Sequence, residues 1–269
     1  MSESVSSCDT QSTKGLVSVN QVGYVGCAIL ASIEPIPGRA AVKAKRNIAQ
    51  RLLDRFFYKY YARNLLYELQ MRARSEAADF VQAEMPEAQI FTAHRDIIRF
   101  AVENAANDGL YLEFGVATGN TLGEIANTAP SGKTVFGFDS FQGLPGDWSG
   151  HVETSGAFKQ KGLPSVPSNA TLVRGLFNNT LPSFMKENEG PVSFAHIDCD
   201  LYSSTVTILD NIGSRFQAGT MVLFDEYFNY PSWKLHEHKA WLEFCEKTDT
   251  KFTYIGFTAL DGRVLVRID

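Results

Sequence analysis

The feature that most limits the fold is a repeated one. Short, near-continuous apolar runs, several of them stopping at an acidic residue, alternate with stretches of helical periodicity. The runs occupy 110–114, 134–138, 170–173, 192–197 and 220–224, and helical patterns fit 121–128, 203–215 and 233–247. A strand that is apolar on both sides must be covered on both sides, and a parallel sheet between helical layers does this. The last stretch reads differently: 252–258, an Asp261-Gly262 turn, then 264–268 predict an antiparallel hairpin. The chain is therefore read as α/β, a mostly parallel sheet with an antiparallel end.

Three sections are expected. Residues 1–20, rich in Ser, Thr and Asn, read as a flexible terminus. Residues 21–90 read as a helical lid or dimerisation section: between Ala40 and Met85 there is neither Gly nor Pro, and Leu52, Phe56, Tyr60, Leu65 and Leu69 fall near helical spacing, predicting an apolar face. Pro86 closes this section, Thr92 is the expected cap of a helix running to Ala105, and residues 91–269 form the α/β domain.

Charge divides along the same line. Between Lys43 and Arg74 nine basic residues face two acids, although the whole 269-residue chain has a net charge of −5. The basic stretch reads as a solvated helix face, with an anionic membrane surface or an acidic partner as alternatives, and the acidic remainder argues against a nucleic-acid binder. Four cysteines without CxxC spacing (Cys8, Cys27, Cys199, Cys245) read as reduced thiols of a cytoplasmic protein. The apolar stretch Val22–Ile33 is shorter than the ~20 residues that span a bilayer, and Lys14 is the only basic residue before it, so neither a membrane span nor a secretory signal is expected.

The segment LYLEFGVATGNTLGEIA reads as strand, glycine turn and helix start. Gly115 and Gly119 permit a tight turn and close approach to a ligand. Ala117 and Asn120 stand where a dinucleotide fingerprint needs glycine, and no phosphate-binding Gly-Lys-Ser/Thr follows, so pyrophosphate is a poor ligand. Glu113 at the first strand end suits a cationic ligand, and Asp139 at the end of the next strand can accept both hydroxyls of a ribose. A nucleoside carrying positive charge satisfies both, and S-adenosylmethionine fits better than NAD. Helix caps are the alternative role for these acids.

Two more strands end in acids, Asp198 and Asp200 in FAHIDCDLYSST, and Asp225 and Glu226 in FDEYFNYPSW. In open parallel sheets the ligand crevice lies beyond the carboxyl ends of the strands, so these carboxylates should converge. A hard divalent cation would relieve their repulsion, and oxygen-only donors point to Mg2+. Asp198, Asp225 and Glu226 are the expected ligands. Asp200, and Asp198 beside it, are the expected catalytic acids, with Asp200 the base for an acceptor hydroxyl. The alternative is that one or two of them cap helices and no metal binds. His196 reads as a core residue or a catalytic one, His236 and His238, two apart on a helix, share no face for a zinc ion but can touch substrate, and Cys199 reads as inert. The Gly- and Pro-rich loop Gln142–Ser168 reads as a lid, with Trp148 and His151 facing an acceptor.

With YLEFGVATGNTLGEIA, FGFDSFQGLP, HIDCDLYSST and FDEYFNYPSW in this order, the chain resembles the class I S-adenosylmethionine-dependent methyltransferases, specifically the macrocin O-methyltransferase-like family, over about Phe91–Asp269. The resemblance implies a Rossmann-like seven-stranded sheet with an antiparallel last strand, and Mg2+-assisted methyl transfer to a hydroxyl of a small molecule, often a sugar of a natural product. By position it implies that Glu113, Gly115, Ala117, Gly119 and Asn120 line the methionine part, that Asp139 holds the ribose, and that Ser140, Gly175 and Phe177 border the adenosine. Two departures stand out: Ala117 for the middle glycine of the turn, and Glu226 where some relatives carry aspartate. A homo-oligomer, most simply a dimer, is expected. A metal-independent methyltransferase and a catalytically silent cofactor-binding protein are the competing readings.

Overall fold

The computed structural model describes residues 48–106 and 108–269. The expected flexible terminus, the Val22–Ile33 stretch and the start of the basic section lie outside the described residues. Contacts divide the chain after Leu52. The described part before that point is the opening of helix α1 (Ile48–Phe57), and the fold and site below belong to residues 53–269.

One sheet of eight strands organises this unit. The strands are β1 (Gln89–Phe91), β2 (Leu110–Phe114), β3 (Val135–Asp139), β4 (Ala170–Arg174), β5 (Val192–Ile197), β6 (Met221–Phe224), β7 (Phe252–Thr258) and β8 (Val264–Ile268), in the order β1-β7-β8-β6-β5-β2-β3-β4. All pairings are parallel except those of β8, which runs antiparallel to β6 and β7. The seven strands expected from the apolar runs are present, and the hairpin is the β7–β8 pair. The eighth strand, β1, is added at the edge, parallel to β7. Its three residues are mostly exposed, so it carries no apolar run to betray it.

The helices are α2 (Leu65–Glu84), α3 (His94–Glu103), α4 (Asn120–Thr128), α5 (Phe177–Glu187), α6 (Tyr202–Ile212) and α7 (Glu237–Thr248). Strand side chains alternate between the two faces. Leu112, Phe114 and Ile197 join one core cluster with Leu181, Ile208 and Trp241 of α5, α6 and α7, whereas Tyr111, Phe194 and Leu223 join the other with Ile98 and Ile125 of α3 and α4. The expected cap Thr92 is not used: α3 starts after Ala93, which makes no side-chain capping bond.

The helical section differs from its expectation. Leu52, Phe56, Tyr60, Leu65 and Leu69 are all exposed, so no buried apolar face forms on them among the described residues. A π-helical turn at Tyr58–Ala62 breaks the run, and Asn64 caps α2 by accepting the Tyr67 N–H. Burial begins one turn later. Ala73, Ala77 and Phe80 of α2 pack on the core, and the Phe80 ring lies 5.5 Å from Trp233 and 5.2 Å from His238. Among the described residues no helix is long and apolar enough to cross a membrane.

Candidate active site

Beyond the carboxyl ends of β2, β5 and β6 the backbone hydrogen bonds continue for one more residue. Gly115 N–H donates to Phe138 O, Asp198 N–H to Phe114 O and Asp225 N–H to Ile197 O, each at 2.9 Å. Gly115 takes φ +98°, and a Cβ there would stand 1.7 Å from the Asp198 carbonyl oxygen. Only glycine lets these two turns meet.

A cavity of about 810 Å³ opens above them, within the range of small-molecule sites. Gly115, Ala117, Asp139, Ser140, Gly175 and Phe177 line it on one side, and Asp198, Asp200, Asp225 and Glu226 on the other. Three other expected positions are not on its wall. Glu113 is fully buried and faces His196, with Oε1 3.1 Å from Nδ1. Strand alternation explains this, because Glu113 pairs in register with His196 and both point to the face covered by α3 and α4. Gly119 lies against Pro164 and Val166, and Asn120 is exposed at the start of α4. Asp139 is on the wall but already engaged. Its Oδ2 accepts the Val116 and Ala117 N–H groups at 3.0 and 2.8 Å, and its Oδ1 accepts the Phe141 N–H at 2.6 Å.

The four acids form two overlapping groups that share Asp198, one with Asp200 and Glu226 and one with Asp225 and His196. One oxygen each from Asp198, Asp200 and Glu226 lies within 4.8 Å of the others. Burial pushes the Asp198 and Glu226 carboxyls well above the usual range, the charge of Asp225 adding to the effect, and Asp200 is pushed up to about 7 by burial, Asp225 and Glu153. Glu226 Oε2 is buried without a hydrogen-bond partner. Three oxygen donors with suppressed ionisation and an orphaned oxygen fit a hard divalent cation. Asp225, within 4.8 Å of Asp198 and His196, also has cationic partners. Arg263 reaches it with Nε 2.6 Å from Oδ1 and donates through Nη2 to Oδ2 at 3.0 Å, while His196 Nε2 is 3.4 Å from Oδ1. Burial disfavours charge on Asp225 too, yet these two cations hold its carboxyl far below the usual range. His196 in turn has its cation disfavoured by burial but favoured by Asp225 and Glu113, which together raise its pKa to about 10.

Asp200 is held in an uncommon backbone shape. Its φ is +62°, and the Leu201 N–H donates to Cys199 O at 2.6 Å, closing a three-residue γ-turn of the rarer, strained hand. The Cys199 thiol points away, 3.4 Å from Thr205 Oγ1, and burial raises its pKa.

The 142–168 loop closes the cavity's far side. Trp148 and His151 stack with centroids 4.0 Å apart, and both line the cavity. His236 Nε2 donates to Ser149 O at 2.8 Å and so ties the loop down, whereas His238 sits among Phe80, Tyr227 and Trp233 and does not touch the cavity. Sequence reasoning missed Arg263, Gln70 and Glu237. Arg263 follows the Asp261-Gly262 turn and so is delivered by the hairpin. Gln70 of α2 lines the cavity and donates to Asn229 O at 2.6 Å. Glu237, the first residue of α7, is fully buried behind the acids.

Residues 112–227 match the family model described as "Methyltransferase domain". The matched stretch runs from within β2 to just past β6 and carries the turns that open on the cavity. Among solved structures it is similar to the calicheamicin methyltransferase CalS11, at 20% identity over 87% of this chain and 99% of that one, with a TM-score of 0.52. That likeness is one of fold. The O-methyltransferase NovP (22% identity, 64% of this chain and 78% of that one, TM-score 0.47) and an O-methyltransferase from Bacillus cereus in complex with SAH (14%, 81% and 97%, 0.45) are also similar. No curated protein matches the chain.

Proposed function

We propose that the protein is an O-methyltransferase that moves the methyl group of S-adenosylmethionine to a hydroxyl of a small molecule, a sugar or other natural product, assisted by Mg2+. The observation that carries this reading is the convergence of Asp198, Asp200 and Glu226 on the cavity that the Gly115 turn also opens into. Gly115, Ala117, Gly175 and Phe177 line the cofactor side, with Ser140 beside the ribose. A carboxylate has about four acceptor positions, so Asp139, with three N–H groups bound, retains one for a ribose hydroxyl. Asp198, Glu226 and Asp225 would hold the cation, Asp225 being shared with Arg263. A bound cation lowers the pKa of an acceptor hydroxyl. Asp200, whose carboxyl is pushed up to about 7, takes the proton that leaves as the C–O bond forms and the C–S bond breaks. Trp148 and His151 face the acceptor and shield it from water. The section before residue 91 supplies Gln70 to the cavity and acts as a lid or dimerisation element.

The test is turnover by the purified full chain of S-adenosylmethionine to S-adenosylhomocysteine with a panel of glycosides and phenols, with and without EDTA. Asp200→Asn is expected to lower kcat by at least about 100-fold, the scale of a lost general base, while calorimetric binding of S-adenosylhomocysteine stays unchanged. Absence of any such binding by the wild type sinks the reading. One observation favours a second reading, metal-independent transfer: Arg263 already neutralises Asp225. In that case EDTA leaves turnover intact.

A further inference from the structure

Glu237 is a buried carboxyl group with no place in the chemistry just described, and its two oxygens reach two different turns. Oε1 accepts the Cys199 N–H at 3.5 Å, and Oε2 accepts the Glu226 N–H at 3.1 Å. Both donors lie just past a strand, Cys199 after β5 and Glu226 after β6, where the strand pairing has ended. A buried N–H without an acceptor is costly, so such groups find partners. Here one side chain serves two turns. The first turn carries Asp198 on one side of Cys199 and Asp200 on the other; the second carries Asp225 and Glu226.

Glu237 does not line the cavity, so it meets neither cofactor nor acceptor. It is fully buried on the first turn of α7, and α7 packs against α6, the helix that follows the Asp200 turn. The carboxyl group is thus mounted on a packed element, and the strained Asp200 γ-turn beside it needs such an external hold.

We propose that Glu237 is a positioning residue, a carboxyl bridge whose two oxygens set the spacing between the Asp198–Asp200 turn and the Asp225–Glu226 turn. It thereby fixes the distance across which the acids can share one divalent cation. The metal part rests on the function proposed above; the bridge itself does not. Glu237→Gln is the informative variant, because the amide keeps the shape and one acceptor but turns an NH2 group towards the other N–H.

Two measurements on the full chain test this. The first is amide hydrogen exchange, read in the peptides covering 197–202 and 224–229. Glu237→Gln is expected to lose at least tenfold protection in at least one of these turns, and Glu237→Ala in both, with the β2 and β3 peptides unchanged. Unaltered protection in both turns, or a loss spread over the whole sheet, overturns the bridge. The second is calorimetric binding of Mn2+ alone and of S-adenosylhomocysteine alone. Glu237→Gln is expected to weaken Mn2+ at least tenfold while S-adenosylhomocysteine stays within twofold. An equal loss of both marks a merely structural residue and overturns the positioning role. Wild-type protein that binds no Mn2+ removes the metal reading, and the exchange result then decides the bridge by itself.

Discussion

A methyl group added at Gly115 would meet the Asp198 carbonyl at 1.7 Å, on backbone already at φ +98°. Neither strain nor overlap can be relieved without parting the two turns, so Gly115→Ala is expected to cost about 3 kcal/mol or more and to abolish S-adenosylhomocysteine binding. Thermal unfolding and calorimetry check the two halves. His238 gives a pH signature. Burial, helped by Lys234, lowers its pKa from 6.5 to about 4, so the folded protein keeps it neutral. Below pH 6.5 the unfolded chain takes up a proton that the folded one refuses, and stability falls as pH drops towards 4. A His238→Leu variant lacks this term. Its stability relative to wild type should therefore improve steadily between pH 6.5 and 4, and parallel denaturation curves at each pH would contradict this. The strand-end acids were legible in the sequence because each closes an apolar run. Their directions were not. Glu113 turns under the sheet by alternation, and Asp225 is answered by Arg263, a residue distant in sequence and near only through sheet pairing.

Helix α2 shows the same division at the level of elements. Its helical nature follows from a stretch without Gly or Pro, but which residues it buries depends on a surface built later in the chain. Phe80 meets Tyr227, Trp233, His238 and Tyr254. Phe80→Ala is expected to cost about 2–3 kcal/mol, somewhat below the 3–5 of a fully buried phenylalanine, measurable as a shifted urea midpoint with an unchanged slope. Because α2 also holds Gln70 at the cavity, the same variant should weaken acceptor binding more than cofactor binding, seen as a raised acceptor KM. Strands β2 to β8 could be read because both of their faces are mostly apolar. Strand β1 could not, since three residues on a sheet edge need no pattern, and α5 is obscured by Pro182 within it.

For the molecule as a whole, the cofactor and metal sites should report separately. S-adenosylhomocysteine at 100 times its Kd is expected to add about 2.7 kcal/mol of stability, and Mg2+ a further increment that the double variant Asp198→Asn, Glu226→Gln loses while the first remains. Thermal shift experiments with each ligand alone distinguish the two. Strand order has another consequence. Strand β8 lies between β6 and β7 but is synthesised after both. While the ribosome is still adding residues, β6 presents an unpaired edge of four apolar residues, and β7 can pair with β1 on one side but has no strand on the other. Such edges invite association between nascent chains. The sheet closes, and Arg263 arrives opposite Asp225, only when the segment reaching Ile268 has cleared the exit tunnel. The acidic site is therefore assembled after the rest of the domain has been translated, and fast, crowded expression should favour aggregation over that last insertion.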